Sequence, residues 1–398
     1  MECAVKQKGL SMKQDVRKPL GKIWVLILAL VLTLTSCAQN GGREAENAEA
    51  NAPAQESQET DAAQWEEVVA VFGDHELTNA ALSYYYWTGY ASFLGYYGQA
   101  VQGMLDLYTP LDQQTYDGDT TWQDYFLENA LTTFQQYCII CDLAQEAHYV
   151  LSENALTSLN SLESNLQENA EQTGFESVEA YLKANYGAGS SLDTYREFMR
   201  QYFTVMEYTG QLKEQFSFTD QEIADYYEEH AEYYLEQGVE KNDVPMANVR
   251  YLTVEQEEDS AGGSQAADQV FDAMLAEWEQ SGDHSEEALM ALGEAWSDRG
   301  AVQNYLGEVY LGGVALGGFD EWVFAPEREA GDYTVLDTEF GRILLYYINQ
   351  LDAPYWYAQA SYDLLYEEYS AFLREEMADV SYEIYPEKIV LGQVADLY

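Results

Sequence analysis

Basic residues are scarce in this chain. Its 18 lysines and arginines stand against 70 aspartates and glutamates, a formal net charge of −52 over 398 residues, and none occurs from Glu44 to Leu182. Such a negative field repels phosphate backbones, so nucleic acid is excluded as a partner. Two interpretations of the charge remain open, solubility in a salty extracytoplasmic medium and attraction for basic, unfolded polypeptides.

Cysteine is also rare, with four in the chain. Cys138 and Cys141 have the spacing of a redox or metal pair, but they continue the three-to-four-residue apolar period of Phe126, Ala130 and Phe134. No second cysteine pair accompanies them. We therefore predict two core cysteines, and we expect neither a metal nor a cofactor.

A calcium loop is incomplete in the segment from Asp117 to Glu128. Asp117, Asp119 and Glu128 match positions one, three and twelve of the pattern, but Trp122 stands where the sharp turn needs glycine. The sequence predicts instead a turn that leads into a helix.

An apolar run long enough to cross a bilayer is missing as well. Residues 23–36 follow a basic amino-terminal stretch and stop at Cys37, whereas a spanning helix needs about 20 apolar residues. Leu34-Thr-Ser-Cys37 resembles the lipobox of bacterial lipoproteins. That likeness implies a signal peptide over 1–36 and a lipidated Cys37 that begins a disordered acidic tether, residues 37–65. An ordinary signal with an incidental cysteine and a start at Met12 are the alternatives.

Helical periodicity dominates residues 66–244, after a short strand at 68–72. The predicted helices are 78–98, 122–149, 152–171, 177–186, 191–214 and 219–234, the last opened by the capping box Thr219-Asp-Gln-Glu222. Most aromatic rings should fill the core of this domain. The run Tyr84-Tyr85-Tyr86 cannot all face inward on one helix, so an exposed aromatic groove for extended polypeptide stays open.

The periodicity changes after residue 248. The pattern predicts a strand at 249–254, helices near 265–280 and 285–294, strands at 333–336 and 342–348, and a closing helix at 354–379. The glycine-rich stretch 312–318 lacks both G-x-G-x-x-G and a Lys-Ser/Thr partner, which argues against a phosphate loop. We expect an α+β fold in which a small α/β domain, 245–350, is inserted in a mostly helical chaperone domain. Residues 351–398 should pack back on the helical domain.

Several short motifs in this second half resemble the parvulin-type peptidyl-prolyl isomerases. They are Val249-Arg-Tyr-Leu-Thr-Val254, Ser297-Asp-Arg-Gly300, the pair Phe319 and Phe324, Gly331, and Phe340-Gly341. With the lipobox and the helical half, the plan resembles PrsA-like and SurA-like foldase lipoproteins. The segment 109–126 is similar to a clostridial branch of them.

The resemblance implies binding of unfolded secreted polypeptides at the outer face of the cell membrane and catalysis of slow X-Pro rotation. It places a proline pocket at Ala315, Leu316, Phe319 and Phe324. Tyr251, Arg299 and Ile343 occupy the family's two histidine positions and its Asp/Cys position. We therefore expect a polypeptide-binding factor with weak or lost isomerase activity. The alternative is an active isomerase in which Tyr251 donates a hydrogen bond.

Overall fold

The computed structural model describes residues 62–254, 263–338 and 341–392. The helices are α1 (Ala62–Trp65), α2 (Asn79–Tyr97), α3 (Trp122–Glu146), α4 (Glu153–Gln172), α5 (Val178–Tyr186), α6 (Leu192–Lys213), α7 (Asp220–Glu229), α8 (Ala231–Glu236), α9 (Gly263–Ser281), α10 (Glu286–Ala295), α11 (Phe319–Val323) and α12 (Tyr355–Ala378). The strands are β1 (Val68–Phe72), β2 (His75–Thr78), β3 (Thr115–Asp117), β4 (Thr120–Thr121), β5 (Met246–Val254), β6 (Ala301–Tyr310), β7 (Tyr333–Thr338), β8 (Gly341–Leu351) and β9 (Tyr382–Ile384).

The fold is mixed α+β and mostly helical, as the sequence predicts. Two compact units divide it: the first joins the described residues up to Phe216 to those from Glu368 onward, and the second is Ser217–Glu367. The predicted signal peptide, Cys37 and the tether up to residue 61 lie outside the described residues. Residues 62–65, expected as the end of the disordered tether, instead form α1, in which Trp65 is buried. In the part that is described, every helix is too short or too polar to span a bilayer.

The helices of the first unit begin where the sequence supplies a hydroxyl. A serine or threonine side chain accepts a hydrogen bond from an amide of the first turn of α2, α3, α4, α5 and α6. Each such cap satisfies one of the amides that a helix start leaves without a partner. The predicted helices 78–98, 122–149, 152–171, 177–186 and 191–214 are thereby confirmed, with ends that shift by no more than three residues.

Residues 79–90 of helix α2 are buried or half-buried on all sides, and this corrects the expectation for its tyrosine run. Tyr84, Tyr85 and Tyr86 are 0%, 5% and 2% exposed, so all three face the core. Tyr84 stacks on Phe198 of α6, Tyr85 meets rings of α3 and α6, and Tyr86 lies against Phe126 of α3. Successive side chains on a helix point in directions about 100° apart, and because other helices surround this part of α2, all three tyrosine side chains point into the protein. The three rings form no exposed groove.

Asn79, at the start of α2, joins distant parts of the first unit. Its Nδ2 donates to the carbonyls of Gln64 and Lys388, both at 2.9 Å, and its Oδ1 accepts from the amide of Val390 at 2.8 Å. The residue is completely buried. Strand β9 pairs with β1 in the order β2-β1-β9, and Trp65 lies against Gly189 and Gly392. Asn79 therefore holds both α1, at the amino-terminal side of the unit, and the carboxyl-terminal segment against the start of α2.

The second unit contains an antiparallel sheet in the order β6-β5-β8-β7. Residues alternate between its faces, as the strand period requires. Leu252 and Leu344 pack on the side that α9 and α10 cover, whereas Val249 and Leu345 pack on the side of α11. The central strands β5 and β8 are buried on both faces.

Strand β6 is absent from the sequence prediction, which has no strand between α10 and the glycine-rich stretch. Its ten residues pair with β5 alone, at the edge of the sheet. Gly307 has φ +63° and lies opposite Val249, where the β5–β6 register shifts. A glycine bulge with polar neighbours interrupts the alternation that marks a strand, which explains the missed element.

The second unit also contains a small helical part built from α7, α8 and the first turns of α12. Its core is Ile223, Tyr227, Tyr234, Val239 and Ala360. The predicted capping box of Thr219 and Glu222 is present at the start of α7. The predicted helix 219–234 is interrupted at His230, where φ −108° and ψ 20° separate α7 from α8.

Candidate functional site

The two faces of the β6-β5-β8-β7 sheet are covered unequally. Helices α9 and α10 cover one face, while the other has the five-residue α11 and the glycine-rich stretch before it. We call the residues of this second face the α11 cluster. Its buried members are Ala247, Val249, Val309, Phe319, Val323, Ile343, Leu345 and Tyr347, and its half-buried members are Tyr251, Val314, Leu316, Trp322, Phe324 and Leu336. The thin cover leaves six apolar or aromatic side chains partly open to solvent.

Five residues singled out by sequence lie in this cluster. Phe319 is completely buried at the start of α11, and Ile343 of β8 is 5% exposed. Tyr251 of β5 is opposite Leu345 of β8, one pair along from Leu344 and Leu252. Leu316 and Phe324 flank α11 and are half-buried. The structure therefore brings two of the three substituted positions into one apolar surface with three of the expected pocket residues.

Arg299 lies elsewhere. It ends a short 3-10 turn, and its guanidinium carbon is 4.4 Å from the centre of the Trp296 ring. Trp296 belongs to the apolar cluster under α9 and α10, on the opposite face of the sheet from Tyr251 and Ile343. The cation is thus held on the far face by an aromatic ring.

The glycine-rich stretch is held by α11. Asp320 Oδ2, in the first turn of α11, accepts a hydrogen bond of 2.9 Å from the amide of Gly312, and the amide of Phe319 donates to Leu316 O at 3.1 Å. Gly312 and Gly318 have φ +88° and +78°, a region that glycine enters without strain. Ala315 is exposed at the tip. These glycines make a tight turn against an apolar surface.

The chemistry available in the α11 cluster is apolar. None of the histidines in the described ranges belongs to it, and its hydroxyl groups are those of Tyr251 and Tyr347. Burial raises the pKa of both phenols, so they stay protonated near neutral pH. The cluster can enclose an apolar ring and offer a hydroxyl, and the carboxylate of Asp320 lies beside it on α11, with Oδ2 bound to the amide of Gly312 and Oδ1 buried.

Trp322 and Val314 are members of the cluster that the sequence interpretation missed. Trp322 follows Phe319 by three residues, which places both on one side of the single turn of α11. The helical spacing from Phe319 is a sequence signal that indicates Trp322.

The other sequence candidates have structural roles. Cys138 is buried and Cys141 half-buried on α3, both as free thiols, which confirms the core prediction. Burial raises the pKa of both thiols, that of Cys141 to about 12, so neither is an activated nucleophile. Asp117 and Gly118, φ +57°, form the turn between β3 and β4 that leads into α3, as predicted.

No family model matches the chain, and no curated protein matches it. Among solved structures, the chain is similar to the crystal structure of PrsA from Bacillus subtilis, with a TM-score of 0.30 and 16% sequence identity. The match covers 67% of this chain and 89% of that one. A TM-score and a sequence identity this low do not bear on what the chain does.

Proposed function

We propose that the protein is a membrane-anchored extracytoplasmic folding factor, PrsA-like in plan, that binds unfolded secreted polypeptides. Its domains are those expected from sequence: a helical domain at 66–244, a parvulin-like domain at 245–350 and a returning segment at 351–398. The parvulin-like domain has weak or lost prolyl isomerase activity. The anchor is a lipid on Cys37.

The observation that carries this proposal is the composition of the α11 cluster. Six of its side chains are half-buried, and two of the three positions where the family has polar groups belong to the cluster, Tyr251 as a half-buried member and Ile343 as a buried one. Arg299, at the third position, lies on the ring of Trp296 instead. Such a surface favours binding of a proline or another apolar side chain over polarisation of the amide.

A protease-coupled assay of X-Pro isomerisation tests the catalytic part. We expect the rate in the presence of the protein to remain close to the uncatalysed rate. Phe319 is a poor choice for a pocket variant, because truncation of a completely buried phenylalanine costs about 3–5 kcal/mol of stability. Leu316→Ala is the better probe, with Gly317→Ala as its control, since a Cβ at Gly317 meets nothing within 4 Å.

Turnover far above the uncatalysed rate, lost in Leu316→Ala and kept in Gly317→Ala, would favour the alternative of an active isomerase. Tyr251 supports that alternative, because it is a half-buried member of the cluster and burial keeps its hydroxyl protonated, so that it can donate a hydrogen bond. The binding part is tested with an unfolded secreted protein that aggregates on dilution. If the purified protein does not slow that aggregation, the folding-factor proposal is wrong.

A further inference from the structure

The β6-β5-β8-β7 sheet has two outer strands, and they differ in regularity. Strand β6 contains the bulge at Gly307, where its pairing with β5 shifts register. Strand β7, Tyr333–Thr338, pairs with β8 over all six residues without a shift. Bulges, prolines and lysines keep the outer strand of a sheet from pairing with a further chain. Strand β7 contains none of these, and its tyrosine, threonines and valine favour strand pairing.

Hydrogen bonds at the start of β7 show which of its backbone groups point away from β8. The amide of Tyr347 on β8 donates to Asp332 O at 2.8 Å, and Tyr347 O accepts from the amide of Gly331 at 3.0 Å. In an antiparallel pair, residues that exchange hydrogen bonds alternate with residues whose amides and carbonyls point away from each other. Tyr347 therefore faces β7, whereas the backbone groups of Tyr346 and of Tyr333 opposite it point apart. The β7 edge, as we call the outward groups, consists of the amides and carbonyls of Tyr333, Val335 and Asp337.

The β7 edge has no hydrogen-bond partner among residues 62–254, 263–338 and 341–392. Within those ranges, β8 is the neighbour of β7 in the sheet, and no backbone hydrogen bond outside the β7–β8 ladder reaches the three residues. A strand that adds to the edge satisfies its three amides and three carbonyls together, because each outward residue exchanges two hydrogen bonds with the residue opposite. The edge thus recognises the main chain of an extended polypeptide.

The side chains on the two faces of β7 differ in character. Leu336 belongs to the α11 cluster, on the thinly covered face of the sheet. Tyr333 and Val335 pack on the opposite face, against the apolar cluster under α9 and α10. Asp337 follows Val335 by two residues on that opposite face, with its side chain 88% exposed and Oδ1 3.4 Å from Arg342 Nε. A strand beside β7 therefore extends the α11 cluster on one face and meets a carboxylate on the other.

We propose that an extended segment of an unfolded polypeptide binds to the β7 edge as a fifth, antiparallel strand. Every pair in the sheet is antiparallel, and antiparallel pairing is slightly more stable per residue than parallel pairing. The residues of the segment opposite Tyr333, Val335 and Asp337 exchange hydrogen bonds with them and lie on the α9 face. The residues between these lie on the α11 face, beside Thr334 and Leu336, and their amides point away from β7.

This geometry specifies the side chains that fit. An apolar side chain beside Leu336 extends the α11 cluster, and a basic side chain opposite Asp337 pairs with its carboxylate. Proline beside Leu336 loses no hydrogen bond to β7, because an amide at that position points away, whereas proline opposite Val335 loses one. The inference rests on the proposed function: it names extended segments with apolar residues or proline at alternate positions as the clients of the parvulin-like domain.

A second copy of this chain is the other partner that has a free strand edge. Two chains of formal net charge −52 repel one another, and the repulsion extends over about 10 Å at 0.1 M salt. The same charge attracts basic segments of other polypeptides. Charge complementarity therefore favours an uncharged or basic client over self-association.

Modified peptides test the alternation. The probe is a short acetylated, amidated peptide that alternates valine, for the α11 face, with threonine and lysine, for the face of Asp337. It is titrated against the purified full-length protein. We expect N-methylation of a central threonine to weaken binding about tenfold or more, because that amide donates to the β7 edge. N-methylation of the adjacent valine should leave the affinity within about twofold of the unmodified peptide. Equal losses, or a larger loss from the valine, would overturn the inference.

Matched variants of the protein test the position of the edge. Val335→Pro removes the central outward amide and keeps the ladder to β8, whereas Val335→Ala removes most of the same side-chain contacts and keeps the amide. We expect the proline variant to bind the peptide about tenfold more weakly than the alanine variant. Asp337→Pro and Asp337→Asn make a second pair at an exposed position, and thermal melts verify the fold of all four variants. Equal binding within each pair would overturn the assignment to β7.

Amide hydrogen exchange locates the bound segment directly. At a peptide concentration ten times the Kd, exchange of the outward amides of Tyr333, Val335 and Asp337 should slow about tenfold. The amides of Thr334 and Leu336 already donate to β8 and should change less. Protection that appears on β6 instead would overturn the proposed site, and a dimer in sedimentation that Val335→Pro dissociates would overturn the proposed occupant.

Suppression of aggregation of an unfolded secreted protein, measured on the same proteins, separates this inference from the proposed function. If the wild type suppresses aggregation and the two N-methylated peptides bind equally, strand addition is wrong and the folding-factor proposal remains. If the alternation is present and suppression is absent, the folding-factor proposal is wrong and the β7 edge remains a site for extended peptides.

Discussion

Replacement of Asn79 by alanine should release the carboxyl-terminal segment of the first unit. The amide side chain makes three hydrogen bonds of 2.8–2.9 Å, to Gln64, Lys388 and Val390, in a position with no solvent exposure. Alanine fills part of the space but leaves two carbonyls and one amide without a partner. Because water does not reach the site, these groups would be satisfied only if the segment moves away.

The size of the destabilisation follows from the number of hydrogen bonds that Asn79 makes. Loss of a hydrogen bond that strands a buried partner costs about 1–3 kcal/mol, and the three losses share one side chain, so their sum is not additive. We expect a loss of about 3–4 kcal/mol in the free energy that holds the segment, and a rise of roughly 100-fold or more in its open population. Asn79→Asp should cost at least as much at neutral pH, since a carboxylate would face two carbonyl oxygens.

Trypsin measures the opening directly, because few basic residues compete with Lys388. Cleavage after Lys388 releases residues 389–398, a peptide that mass spectrometry identifies. The rate of its release should rise by about two to three orders of magnitude in Asn79→Ala, because cleavage follows the open population. Asn154→Ala, at an exposed position in the first turn of α4, is the control and should match the wild type. A release rate in Asn79→Ala within twofold of that control would refute the role of the asparagine.

Two further predictions concern packing and pH. Gly313→Ala should lower the melting temperature, with a cost of about 1–3 kcal/mol in stability, because the new Cβ would lie 2.7 Å from the Tyr310 ring. That ring cannot easily move, since it stacks on Tyr355 with ring centres 3.7 Å apart. Gly317→Ala in the same stretch should be nearly neutral, and equal melting temperatures of the two variants would contradict the packing argument. Burial raises the pKa of Tyr149, Tyr195 and Tyr355 to about 12 in the folded protein. The same phenols in the unfolded chain lose their protons at about pH 10, so the contribution of these groups to stability should be complete below pH ~10 and should fall as the pH rises towards ~12. Tyrosinate absorbance and circular dichroism recorded together check this, and full ionisation of the tyrosines at unchanged dichroism would contradict it.

Helices α2 to α6 of the first unit were predictable because each begins with a local signal. Hydroxyl caps at Thr121, Ser152, Ser177 and Ser191 precede apolar residues at helical spacing, and both signals act within a few residues of sequence. The failure at Tyr84-Tyr85-Tyr86 has a tertiary cause. An expectation of one buried face suits a helix on the surface, whereas α2 has neighbours on several sides, a property of the assembled unit.

The candidate site shows the same limit. Phe319, Leu316 and Ile343 could be grouped from sequence only through the resemblance to a family, because β5, β8 and α11 meet through pairing over about a hundred residues. Arg299 lies on the ring of Trp296, so its position depends on which face of the sheet that ring occupies. The neighbouring strand β6 does not indicate the face from sequence, because its alternation is broken at Gly307.

The pairing of β9 with β1 determines an order of events when the chain is made. Tyr382 lies opposite Phe72, so the first unit needs a strand synthesised more than 300 residues later. Closure of so long a loop is entropically costly and slow, whereas the pairs of the second unit close over shorter distances. The amino-terminal unit is therefore begun first and completed last, and the second unit can fold while β1 still waits for its partner strand.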